Sequence, residues 1–168
     1  AVSLKKKKRI FIKKKNEEKV NTKFGSVILR IYADLLKKCM HLALVKGVTK
    51  IKDEVMVRVH EPLSILNFIR RETSHSWPPL RAIEAINNEE KGVIIFLNYN
   101  ESQDSITSKL SLKNTALKKS TDLRNYGIGS QILVDIGVTK MKLLAAPRKM
   151  PSMTGYGLQV TEFIENNL

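Results

Sequence analysis

The sequence predicts a single α/β domain built on a mixed sheet, α+β in the sense that strands and helices are unevenly interleaved. Three observations carry that expectation. Short runs rich in valine, isoleucine and leucine alternate with segments of helical periodicity. A chain of 168 residues, 42% of them hydrophobic, has enough apolar material for one proper core. And VIIFL, Val93–Leu97, is a continuous apolar run, the habit of a strand buried on both faces in a partly parallel sheet.

Charge and cysteine usage narrow the class. The net charge is +14, but Lys5–Arg9 and Lys13–Lys15 supply eight positive charges, and without them the chain stands at only +6. Such a run is either an arm for phosphate or nucleic acid or a solvated linker or edge segment. With Phe11 its one aromatic and no stacking platform, the linker reading is preferred and nucleic acid is not expected as a partner. Residues 1–19 are therefore read as a basic arm or linker from an upstream domain, and 20–168 as the folded domain. The start without methionine fits an excised or processed fragment. No apolar run approaches the roughly 20 residues that span a bilayer, and no signal peptide is present, so a cytoplasmic location without membrane contact is expected. The single Cys39 excludes a disulfide framework and any multi-cysteine metal site.

In order along the chain, Val20–Tyr32 reads as strands about a turn near Gly25. His41–Lys46 and Glu54–His60 are two more short strands. Arg81–Asn87, with a start extending back toward Pro79, is a helix with Ile83 and Ile86 inward. Val93–Leu97 is the buried strand, and Ser105–Lys119 a basic helix. Ser120–Ile136 reads as a loop carrying Asp122 and Arg124, a glycine pair at Gly127 and Gly129, then a helix with Ile128, Ile132, Leu133 and Ile136 on one face. The glycines suit a tight turn or close approach to a ligand. Gly137 stops the helix, Lys140–Ala145 is a strand, and Pro147-Arg148-Lys149 follows. His41 and His60 invite a metal reading, but they lack the short ligand spacings of a zinc site. Strand-end histidines held by backbone hydrogen bonds are the better account.

The run DLRNYGIGSQILVDI, with Pro147, Lys149 and Gly155-Tyr156-Gly157-Leu158 beyond it, resembles the C-terminal part of the GTP cyclohydrolase II family, which opens the imidazole ring of GTP at the start of riboflavin synthesis. Thr22, Gly25, His41, Ala43, Leu44, Val45, Gly47, Arg58, Val59 and His60 match that family's earlier motifs, so the likeness runs from about residue 20 to 160. It implies a GTP cyclohydrolase II-like single domain, cytoplasmic and dimeric. It also implies the frequent fusion behind 3,4-dihydroxy-2-butanone 4-phosphate synthase, which would be the upstream domain. In the family the arginine matching Arg124 attacks the nucleotide phosphate with help from the aspartate matching Asp122. Lys149 matches a nucleotide- or phosphate-binding lysine, and Arg148 beside it adds charge. Read without the resemblance, Asp122 is a turn cap and Arg124 its ion partner.

The departures are as specific as the matches. Active family members use zinc on three cysteine thiolates, together with magnesium. The cysteine positions fall here near Leu63, Ser74 and Ser76, with His75 alone between the serines. The segment that grips phosphates and guanine becomes Asn98–Leu110, without its arginines and glycines; Asn98, Asn100 and Ser102 read as a polar loop, and Lys109 alone is kept. The proton-transfer tyrosine falls near Lys113, about a dozen residues are missing before Asp122, and a polar T-N-N-P turn is Ala145-Ala146-Pro147. The expectation is a catalytically retired domain with no cofactor, retaining a structural, dimerising or regulatory role for an attached synthase, with GTP or another phosphate as a possible ligand. Two other readings stay open: an active GTP cyclohydrolase II that hydrolyses GTP to a diaminopyrimidine, formate and pyrophosphate, and a polyanion-binding module working through the lysine arm.

Overall fold

The computed structural model describes residues 9–23, 25–47, 54–60, 77–98 and 115–166, and within these the side chains of 115–124 and of Ser152 are excepted. Seven strands form one mixed sheet: β1 (Ile12–Thr22), β2 (Gly25–Asp34), β3 (Met40–Lys46), β4 (Glu54–His60), β5 (Gly92–Phe96), β6 (Lys140–Leu144) and β7 (Gln159–Ile164). The helices are α1 (Pro79–Asn87), α2 (Thr115–Ile136) and the short α3 (Pro151–Gly155). The strand order is β1-β2-β3-β5-β4-β6-β7, antiparallel from β1 to β5 and parallel from β5 through β4 and β6 to β7.

Period-two patterning sorts the strand residues to two faces. Ala43, Val45, Val55, Val57, Val59, Val93, Ile95, Met141 and Leu143 form the larger core with Ile128, Ile132, Leu133 and Ile136 of α2. Ile94 and Leu144 turn the other way and meet Trp77, Ala82 and Ile86 at α1, with Met56 and Phe96 packed alongside. β5 is thus buried on both sides, as its unbroken apolar run requires. Each fully buried leucine or isoleucine contributes about 2 kcal/mol of transfer free energy, so the apolar face of α2 contributes substantially to stability.

The structure refines one expectation and corrects two. β1 begins at Ile12, so Lys13–Lys15 lie in an edge strand hydrogen-bonded to β2. Lysines and glutamates from Lys13 to Lys19 leave that stretch exposed on both faces, a composition that protects an edge from pairing with other chains. Second, Ser120–Tyr126 is not a loop: α2 runs unbroken from Thr115 to Ile136, joining the last residues of the expected basic helix to the apolar one. Third, the glycine pair makes no turn, since neither Gly127 nor Gly129 has a positive φ. Gly129 instead lets the helix approach the sheet: a Cβ there would lie 3.1 Å from a methyl of Val59. The turns fall at Gly25 (φ 108°) and Gly137 (φ 98°).

An ion and hydrogen-bond cluster ties the end of α2 to the ribbon β1–β2. Arg30 reaches Glu17 at 2.8 Å and Asp135 at 3.8 Å, while the Tyr32 hydroxyl donates to Asp135 at 2.7 Å. Burial is the main reason the Tyr32 hydroxyl is held well above its ordinary range, and the Asp135 carboxylate reinforces it.

Candidate functional site

The topology locates a crevice before any side chain is considered. Both β4 and β5 end at the same edge of the parallel half, with His60 opposite Phe96. The chain leaves β4 toward α1 on one face and leaves β5 toward α2 on the other. Where consecutive connections depart to opposite faces, the carboxyl ends of the strands open a ligand crevice. His60 ends β4 and Asn98 lies just beyond β5 at that edge, and β6, parallel to β4, runs toward the same edge before Arg148 and Lys149.

His60 is buried, its ring 5.9 Å from that of Phe96. Neither of its ring nitrogens has a hydrogen-bond partner among the described residues. Burial first, and the nearby Arg58 guanidinium second, push its pKa down to about 4. It is therefore a neutral imidazole at pH 7, offering one donor and one acceptor. Arg58 is turned to structural use, donating to the carbonyls of Leu144 at 2.9 Å and Trp77 at 3.5 Å. Asn125 on α2 is also buried, and its side-chain oxygen has no partner among the described residues. Beside it the Arg148 guanidinium stacks over the Tyr126 ring at 5.5 Å, a contact that anchors an otherwise exposed cation.

His41 lies in the adjoining strand and is fully buried. Its Nε2 is 3.1 Å from Asp34 Oδ2, and its Nδ1 accepts the Asn98 backbone N–H at 3.1 Å. A backbone amide can only donate, so the ring proton sits on Nε2 facing the carboxylate. Burial would raise the Asp34 carboxyl, but the Lys37 amide, His41 and the Leu36 amide outweigh it and hold the pKa below the ordinary value. The chain Asp34–His41–Asn98 thus fixes where the backbone departs from β5. Cys39 Sγ lies 4.0 Å from the same Nε2, and the ligand atoms of Asp34, Cys39 and His41 fall within 4.8 Å of one another. A cation there would need the Nε2 lone pair, forcing the remaining ring proton onto Nδ1 against the Asn98 N–H. The cluster is accordingly a polar anchor, and His41 is the backbone-held histidine that its strand-end position suggests.

Of the residues singled out from sequence, Lys149 is exposed beside Arg148 at the crevice edge. Asp122 and Arg124 lie on α2, within the first half of the helix, and their side chains are outside the described residues. Leu63, Ser74, His75, Ser76, Asn100, Ser102, Lys109 and Lys113 also lie outside the described residues. Asn125 was missed; the available signal was its place between Arg124 and Tyr126 in the DLRNYGIG run.

Fold and topology define a mixed-sheet α/β domain with the ends of β4 and β5 together at the carboxyl edge of its parallel half. The chain belongs to the GTP cyclohydrolase II family, whose pattern matches residues 13–165. It is 38% identical over 146 residues to a 3,4-dihydroxy-2-butanone 4-phosphate synthase of Neisseria meningitidis serogroup A, covering 87% of this chain and 40% of that protein. To the riboflavin biosynthesis protein RibBA of Endomicrobium trichonymphae it is 31% identical, covering 84% of this chain and 38% of the relative. Among solved structures it is similar to RibBX, a two-domain 3,4-dihydroxy-2-butanone 4-phosphate synthase from A. baumannii. There the TM-score is 0.62 at 25% identity, covering 93% of this chain and 41% of the other. The chain spans about two fifths of the length of the curated relatives it matches. It is thus a GTP cyclohydrolase II-family domain with a mixed-sheet α/β fold. Among the described residues no helix is long and apolar enough to cross a membrane.

Proposed function

We propose that this is a catalytically retired GTP cyclohydrolase II-like domain that serves an attached 3,4-dihydroxy-2-butanone 4-phosphate synthase as a structural, dimerising or regulatory unit. The observation that supports it is the cysteine count. The family's zinc rests on three thiolates, and this chain has one cysteine. That one, Cys39, belongs with Asp34 and His41 and not to the segment after β4. Leucine and serine at the matching positions are poor donors for zinc. Without the metal no group among the described residues would lower the pKa of a water to make a hydroxide nucleophile, and groups that act as a unit fail together. One cysteine, with leucine and serines at the matching positions, does not fit a three-thiolate zinc site.

Attachment to a synthase is supported by the length of the relatives and by their names. Residual binding of GTP or another phosphate is supported by Arg148 and Lys149 at the crevice edge and by Arg124 from sequence. The deciding experiment is GTP turnover by the purified domain with zinc and magnesium supplied, read as formate release. No formate above a buffer blank, with zinc well below one per chain, is the expected outcome. Turnover abolished by Arg124→Ala would overturn the reading and restore an active cyclohydrolase. The polyanion reading of the lysine arm predicts steeply salt-dependent binding lost on removal of residues 1–15. The lysines of β1 are spread along a strand edge among glutamates, which favours the retired-enzyme reading over that one.

A further inference from the structure

Four large apolar side chains crowd one corner of the domain in contact with solvent. Ile10 is 73% exposed, Leu35 56%, Leu36 61% and Met40 43%. They share that corner because the Leu35 amide donates to the Phe11 carbonyl at 2.8 Å, Met40 pairs with Ala33, and the Asp34 amide closes the β2–β3 turn on the Cys39 carbonyl at 2.8 Å. The Asp34 carboxylate also accepts the amides of Leu36 and Lys37, both at 2.9 Å, so the two leucines stand on a braced turn and not on a loose loop. Scattered exposed apolar residues need no explanation, but four brought near one braced turn by backbone pairing mark an interaction surface. Arg9, Lys37 and Lys38 border it, all exposed.

The incoming chain is gripped beside this patch. Buried Gln131 of α2 presents its amide as a strand would. Its Oε1 accepts the Phe11 N–H at 2.8 Å, while its Nε2 donates to the Arg9 carbonyl at 3.0 Å and to the Tyr156 hydroxyl at 2.8 Å. Because the grip is on backbone atoms, it holds the segment whatever its side chains. Whatever precedes Arg9 must therefore enter at a fixed point next to the patch, at high effective concentration over it.

We propose that Ile10, Leu35, Leu36 and Met40 form the docking face for the synthase domain that precedes this one in the same polypeptide, with the Gln131–Tyr156 clasp setting the direction of entry. This rests on the proposed attachment of that domain. The complementary surface would be an apolar patch bordered by carboxylates, matching Arg9, Lys37 and Lys38. Interfaces between domains of one chain are of this modest, mixed kind.

The test uses the full two-domain chain. Limited trypsin cleavage within Lys5–Arg9 is timed in the parent, in a Leu35→Ser/Leu36→Ser variant, and in a Leu80→Ser control that alters an exposed leucine on α1. Undocking is expected to speed cleavage in the double variant by about tenfold or more, with the control unchanged and the circular dichroism of all three alike. If the natural gene product carries no synthase domain ahead of residue 1, the inference falls together with the reading it rests on. Should the domain be present and cleavage remain at the parent rate, the docking face alone is wrong. Unchanged cleavage accompanied by conversion of a dimer to a monomer would reassign the patch to a contact between copies.

Discussion

His60 makes acid stability measurable at one residue. Its pKa falls from the ordinary 6.5 to about 4 on folding, because the imidazolium would lie buried without a hydrogen-bond acceptor among the described residues and near the Arg58 guanidinium. The sign follows from proton binding. Between these two values the unfolded chain holds a proton that the folded chain does not, so stability is full above about 6.5 and is lost as pH falls. The whole difference corresponds to about 3 kcal/mol, and between pH 7 and pH 5 to about 2 kcal/mol. His60→Phe removes the titration while keeping a ring against Phe96. Urea unfolding of both proteins at pH 7, 6 and 5, without added ligand, isolates the effect, since the Asp34 carboxyl and other acids contribute alike to each. At pH 7 the variant is expected to match or exceed the parent, because two unsatisfied buried nitrogens are removed. The parent should lose about 2 kcal/mol more than the variant by pH 5. Parallel loss in the two proteins would refute the claim that this imidazole is buried and neutral.

Other perturbations test the packing and the polar anchor. Gly127→Ala should stabilise by about 0.5–1 kcal/mol in thermal or urea unfolding, since the position is helical and nothing lies within 4 Å of the added methyl. Gly129→Val should instead cost about 2 kcal/mol or more, because its branches must occupy the space of the Val59 methyls. Asp34→Ala removes the acceptor for the buried His41 proton and for two turn amides at once, so a loss of about 3 kcal/mol is expected, with faster amide exchange at Leu36, Lys37 and Asn98. Gln131→Met keeps the volume but drops both backbone hydrogen bonds of the N-terminal segment. A loss of about 1–2 kcal/mol and earlier fraying of residues 9–12 in hydrogen exchange should follow.

Much of the fold was legible because burial imposes period. The strands Glu54–His60 and Val93–Leu97 and the inward face of α2 followed from apolar spacing alone, and the structure places them within a residue or so. The errors have particular causes. The lysines and glutamates of Ile12–Thr22 carry no apolar alternation, since an edge strand exposed on both faces needs none; its pairing to β2 is a backbone matter that side-chain patterning does not record. Gly127 and Gly129 looked like a turn because glycine usually marks one. In α2 the missing side chain at Gly129 serves helix–sheet contact, and only the identity of the facing Val59 reveals that.

The candidate site was legible in a different way, through motif and not through pattern. The family likeness named Lys149 and the segments after His60 and Leu97, and the topology brings the ends of β4 and β5 to one edge, from which the chain departs in opposite directions. What sequence could not supply is which polar groups there are already satisfied. Two histidines that looked alike separate on that criterion: His41 has both nitrogens engaged, one by Asp34 and one by Asn98, whereas His60 has neither engaged among the described residues. An engaged pair holds a loop in place and has no capacity left for a ligand, while an idle donor and acceptor on a buried ring carry a cost that a bound group can relieve. The difference makes His60 the residue whose hydrogen bonding should change most when a nucleotide or phosphate ligand is added. Its ring-proton resonance is therefore the direct reporter of whether a ligand binds at this edge of the sheet.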